Sequence, residues 1–128
     1  MAYKSAYGDV AVSLRQALAR EGVNTGGSAG YPRVELHSFV EGEPMDKQDS
    51  IRTLTATVES LSVVSPDEAE ELNAENLEII EGWEYDGPEF TVFGKVPKSL
   101  QDMQEVGDSQ VVYRVLQTVD LYIQQQTN

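Results

Sequence analysis

The residues of this chain with chemical potential are few and scattered. There is one histidine, His37, and no cysteine in 128 residues, which excludes thiolate nucleophiles, thiolate metal sites and disulfides. A zinc site would need His37 together with several carboxylates, and nothing near it has ligand spacing, so His37 reads as a structural histidine. Ser and Asp are abundant, but without a nucleophile elbow a Ser-His-Asp arrangement has no support in the sequence. The oxygen-rich loop "EGEPMDKQDS", residues 41–50, lacks the alternating Asp/Asn ligands, the Gly and the terminal Glu of a calcium loop. "GVNTGGSAGYP", residues 22–32, carries neither a Gly-Lys-Ser/Thr pattern nor a dinucleotide fingerprint, and reads as a flexible loop. Trp83, Tyr85 and Phe90 cluster around a turn and read as the edge of a core. Paired carboxylates cannot be picked out of 22 acidic residues by spacing alone. The expectation is a protein that is not an enzyme, with no cofactor and no metal.

Charge is the unusual compositional feature. The net charge is −13, from 22 acidic and 9 basic residues. No basic residue falls between Arg52 and Lys95, a span that holds Glu59, Asp67, Glu68, Glu70, Glu71, Glu75, Glu78, Glu81, Glu84, Asp86 and Glu89. Such a span repels phosphate backbones, which excludes an ordinary nucleic-acid binder. It reads first as a solvated helix face, and secondly as a surface past which DNA slides without adsorbing. No apolar run is long enough for a transmembrane helix, so no membrane partner is expected. "MAYKSAYGDVAVSL" lacks the apolar stretch of a secretory signal, so Met1 is expected to start the mature protein. The length predicts a single domain over 1–128.

The elements that must position any site follow from periodicity. Tyr3, Tyr7, Val10, Leu14 and Leu18 recur at helical spacing and predict an amphipathic helix over 3–21, with Asp9 as an alternative N-cap and Gly22 as its C-terminal cap. "RVELHSFV", residues 33–40, alternates Val34, Leu36, Ser38 and Val40 against Arg33, Glu35, His37 and Phe39, a half-exposed strand. "IRTLTATVES" begins the next strand, with Leu54, Ala56 and Val58 inward and Thr53, Thr55 and Thr57 outward, reaching as far as Val64. Ser65, Pro66 and Glu68 form a capping-box start to a helix over 65–82, with Ala69, Leu72, Asn76, Ile79 and Ile80 as its buried stripe. A "DG" turn precedes a short strand, Phe90–Val96. The polar stretch 98–110 reads as loop, with or without one helical turn, and 110–126 as a long strand whose end leaves the domain to meet a partner. Arg52 and Arg114 lie on strands expected to pair in one sheet, with an ion pair to Asp120 or Glu59 as the structural reading. The fold class is α+β: a single antiparallel-dominated or mixed sheet with two helices on one face, in the order α-β-β-α-β-β.

Taken in order, "VAVSLRQALAREG", "YPRVELHSF", "DSIRTLTATVESLS", "SPDEAEELNAENLEII" and "SQVVYRVLQTVDLYIQQ" resemble the tail terminator, or tail completion, proteins of long-tailed bacteriophages, over roughly residues 9–126. The resemblance implies a virion structural protein of a phage or prophage. Such a subunit forms a ring, a homo-oligomer of six, that caps the tail tube and presents the surface for head joining. Its partners would be other copies of itself, the tail tube protein, the head–tail connector protein, and DNA passing through without specific binding. Its place would be the tail or neck of the virion, assembled in the bacterial host cytoplasm. Subunit-contact candidates are Met45, Arg52, Met103, Gln104, Val106 and Arg114. The other readings are a head–tail connector or neck protein of similar fold, and a small acidic α+β binding module with a protein or small-ligand partner and a pocket near Trp83.

Overall fold

The computed structural model describes residues 7–25, 30–45, 50–107 and 109–126. The expected helix residues Tyr3 and Lys4, the segment 26–29 of the glycine-rich loop and residues 46–49 of the polar loop lie outside the described residues. Two helices, α1 (Tyr7–Leu18) and α2 (Pro66–Gly82), accompany five strands: β1 (Asn24–Thr25), β2 (Arg33–Glu41), β3 (Ile51–Ser62), β4 (Phe90–Val106) and β5 (Val111–Gln125). The strands form one sheet in the order β1-β2-β3-β5-β4. Every pairing is antiparallel except that of β1 with β2. The architecture is α+β with one mixed sheet, as the sequence predicts, plus one short parallel strand that the glycine-rich loop concealed.

Both helices cover the same sheet face. Val10, Leu14 and Leu18 of α1 and Leu72 and Ile80 of α2 share one buried cluster with Leu54, Ala56 and Val58 of β3 and Val119, Leu121 and Ile123 of β5. Each such Leu or Ile contributes roughly 1.5–3 kcal/mol by leaving water. Threonines 53, 55 and 57 lie half-buried on the opposite face, so the alternation predicted for β3 holds. In β2 the alternation fails past His37. Between His37 and Val40 the register shifts by one residue, and one extra residue exchanges the faces. Val40 is therefore exposed and Phe39 packs against the core, the reverse of the expectation.

The start of α2 shows a modified cap. Ser65 Oγ accepts from Glu68 N at 3.1 Å, as predicted. The Glu68 carboxylate does not return to the Ser65 amide. It accepts from Ser62 Oγ at 2.7 Å, and Ser62 Oγ in turn receives Val64 N and Ser65 N. Three serine and glutamate groups thus tie the end of β3 to the first turn of α2. Gly22, expected as the cap of α1, instead sits four residues beyond its end with φ +83°, in the turn that joins Arg20 to Val23.

The largest departures concern β4 and β5. The expected short strand and polar loop are one strand of 17 residues, hydrogen-bonded to β5 from Phe90↔Gln125 to Val106↔Val111. β5 does not leave the domain. It pairs with β3 from Tyr113 to Gln124 and with β4 along its whole length, which makes it the centre of the sheet. The long strand with an open side is β4.

Candidate functional site

β4 enters the sheet normally and then loses cover. Phe90 is buried, but from Val96 to Val106 every residue is exposed. Its inner face, opposite Val119, Gln117, Val115 and Tyr113, carries Pro97, Leu100, Asp102 and Gln104. Its outer face, opposite Asp120, Leu116 and Arg114, carries Val96, Gln101 and Met103. α2 packs over β3 and β5 and scarcely reaches β4, so neither face of the strand is roofed. Val96, Leu100, Met103 and Val106 are all exposed as a result.

Two devices shape this edge. Bulges lie at Val92/Gly94 and at Pro97/Leu100, and Lys95, Pro97 and Lys98 fall on or between them. Lysine, proline and bulges are the features that discourage edge-to-edge pairing. From Leu100 to Val106 no bulge, proline or lysine interrupts the strand. The second bulge is pinned: Thr118 Oγ1 accepts from Ser99 N at 2.9 Å, and Gln117 Nε2 donates to Ser99 O at 3.1 Å. Asn73 of α2 donates to Gln117 Oε1 at 3.3 Å, so a buried polar chain runs from the helix through β5 to β4. Beside it, Asn76 Nδ2 donates to Ser60 Oγ at 2.9 Å.

At the far end of the same strands, Arg114 staples the sheet. Its Nε donates to Glu59 Oε2 at 2.5 Å and its Nη1 to Glu105 Oε2 at 3.2 Å, joining β3, β5 and β4 on the outer face. The Glu59 side chain is only 3% exposed. His37 Nε2 lies 3.5 Å from its other oxygen. The hydrogen bond to Glu59 holds the Arg114 guanidinium charged even more firmly than usual. The outer-face ion pair is the one expected with Glu59.

The contact candidates therefore separate. Met103, Gln104 and Val106 stand exposed on β4, and Met45 stands exposed in the loop between β2 and β3. Arg114 is half-buried at the edge of the same surface. Arg52 is a correction: it is 1% exposed, on the helix-covered face, and donates to Gln125 Oε1 at 3.1 Å. It lies two residues before Leu54, and strand alternation turns it inward.

Trp83 offers no open platform. It is buried, its Nε1 donates to Ser13 Oγ at 3.0 Å, and Lys95 Nζ lies 5.9 Å from its ring. Lys95 donates to the Glu81 and Trp83 carbonyls, closing the C-terminal end of α2. A cleft of about 460 Å³ lies instead between α1 and β2, lined by Arg15, Thr25, Glu35, His37 and Glu59 among others. Its buried carboxylate is already paired with Arg114, so what converges there is an ion-pair network rather than a nucleophile and base. Among the described residues, no group of three or more His, Asp and Glu is placed to hold a metal, and no helix is long and apolar enough to cross a membrane. In comparison with known proteins, the chain matches no family model and no curated relative.

Proposed function

We propose that this chain is a structural subunit that assembles through the edges of its sheet, and that its role is that of a ring-forming tail terminator in a long-tailed phage or prophage. The observation that carries the reading is β4: a 17-residue edge strand whose distal half is unroofed on both faces and presents Met103 and Val106 to solvent. An uninterrupted edge with apolar side chains is a template for strand addition. On the other side of the sheet, among the described residues, β1 pairs with β2 at Arg33 and Val34. β4 and β2 run in opposite directions. Head-to-tail joining of β4 to the β2 of the next copy continues the antiparallel pattern, and such heterologous contacts close into rings. The exposed carboxylates of α2 would keep passing DNA from adsorbing, and the tail tube and head–tail connector would lie above and below the ring.

Light-scattering mass across protein concentration and salt tests this reading. A species near six times 14.1 kDa, growing as salt screens the −13 charge of each subunit, is the expected result. A strict monomer at every concentration, unchanged by Met103→Asp, would overturn assembly through β4.

A further inference from the structure

The seam between α2 and β4 holds two cavities along one stripe of the helix. Near its start, a cavity of about 200 Å³ is lined by Pro66, Ala69, Glu70, Asp102, Tyr113 and Val115 among others. Near its end, one of about 420 Å³ is lined by Leu77, Ile80, Glu81, Lys95, Pro97 and Val119. Leu100 stands between them in register, opposite Gln117 on the same sheet face, and is 59% exposed. The floor is apolar. Glu70 and Glu81 on the helix and Asp102 on the strand stand in the walls, beside Arg114, which is paired with Glu59 and Glu105, and Lys95, which donates to two carbonyls at the end of α2. The nearby Asp102 carboxylate raises the pKa of Glu70 above its usual value. Midway along α2, the Asn73 side chain is buried and its Oδ1 has no hydrogen-bond partner among the described residues.

We propose that this seam docks a basic, apolar-anchored segment of a different protein, whose aliphatic side chains enter the cavities beside Leu100 while its Lys or Arg groups lie between Glu70, Glu81 and Asp102. Charge complementarity selects this occupant. A second copy of the chain brings another −13 and few available cations: Arg20, Arg33, Arg52, Lys95, Lys98 and Arg114 are each engaged within their own subunit. Anionic ligands are repelled for the same reason. The inference does not depend on ring formation, because the seam lies on the inner face of β4 and is present in the isolated subunit.

The test uses the full chain with two probes: a 14-residue amphipathic peptide of leucine and lysine, and a 14-residue oligolysine. Binding is followed by titration and by amide chemical shifts, with the fold of each variant checked by circular dichroism. The leucine–lysine peptide should bind with shifts concentrated on α2 and β4. Leu100→Asp should weaken it about tenfold or more, as loss of a buried anchor does. Glu70→Gln with Asp102→Asn should weaken it roughly threefold and flatten its salt dependence. Oligolysine should bind more weakly and be indifferent to Leu100→Asp. Equal binding of both probes, or shifts spread over all acidic surfaces, would reduce the effect to charge adsorption and overturn the proposal. Self-association abolished by Leu100→Asp would give the seam to a second copy and overturn it as well.

Discussion

β4 and β5 are hairpin partners of nearly equal length, hydrogen-bonded to each other from end to end, yet they live in different environments. β5 has a strand on each side and a helix layer over one face, and it alternates Val115, Val119, Leu121 and Ile123 with polar residues as a central strand must. β4 has β5 along one side, only a short bridge from Asp86 to Thr91 on the other, and little roof, and past Val96 its sequence is mostly polar. Backbone pairing alone therefore sustains a strand whose side chains contribute little to the core. What the contrast teaches is a division between the two strands: β5 carries the packing of the subunit, and β4 past Val96 is left exposed.

That division can be broken at β5. Leu121→Ala, at a fully buried position, should destabilise by about 2–5 kcal/mol in denaturant unfolding. A loss under about 1 kcal/mol would mean the centre of the sheet is not where the packing puts it. Next in size is Arg114→Ala. It leaves the Glu59 carboxylate buried without its strongest partner and should cost about 2–4 kcal/mol, a little less than a fully buried pair because Arg114 itself is 27% exposed. Glu59→Gln with Arg114→Met should recover part of that loss. Ser65→Ala should cost about 1 kcal/mol by removing the cap of α2.

The contrast sharpens at β4. Met103→Asp and Val106→Asp should each change the unfolding midpoint by no more than the equivalent of about 0.5 kcal/mol, while reducing any assembly seen by light scattering. The smallest effect is expected at Glu70. Its pKa is raised in the fold, chiefly by the Asp102 charge, so its ionisation opposes folding. The stability it withholds returns as pH falls through the carboxylate range and the group takes up its proton. Glu70→Gln should therefore raise the unfolding midpoint slightly at neutral pH, with the advantage over wild type fading on acidification. A variant less stable than wild type at neutral pH would show that Glu70 has a favourable partner.

Much of the fold was legible because its signals are local. Ser65, Pro66 and Glu68 mark the start of α2, and the alternation in β3 and β5 assigns their buried faces. The failures share a cause. Phe39 and Val40 exchange faces at a bulge that no residue type announces. Asn24–Thr25 forms a strand only because β2 lies beside it. Residues 98–106 read as loop because alternation reports burial, and an unroofed edge strand has none to report. Arg52 could have been placed inward from the phase of its own strand; its charge argued the other way, and the phase decided. Of the candidate surface, Met103, Gln104 and Val106 were visible as residues but not as a strand edge, which is a property of pairing rather than of composition.

The central position of β5 also bears on how the molecule folds. β5 follows every other described element along the chain, but it is the strand that β3 and β4 both need. Its pairing with β3 joins residues as far apart as Ile51 and Gln124. Until that long loop closes, β2 and β3 are a hairpin with one exposed apolar face, and α2 has only half of its floor. Non-local pairing of this kind slows folding, because chain entropy is lost before contacts repay it. The subunit should therefore fold late and in one cooperative step, with β4 joining the sheet only once the strand beside it is in place.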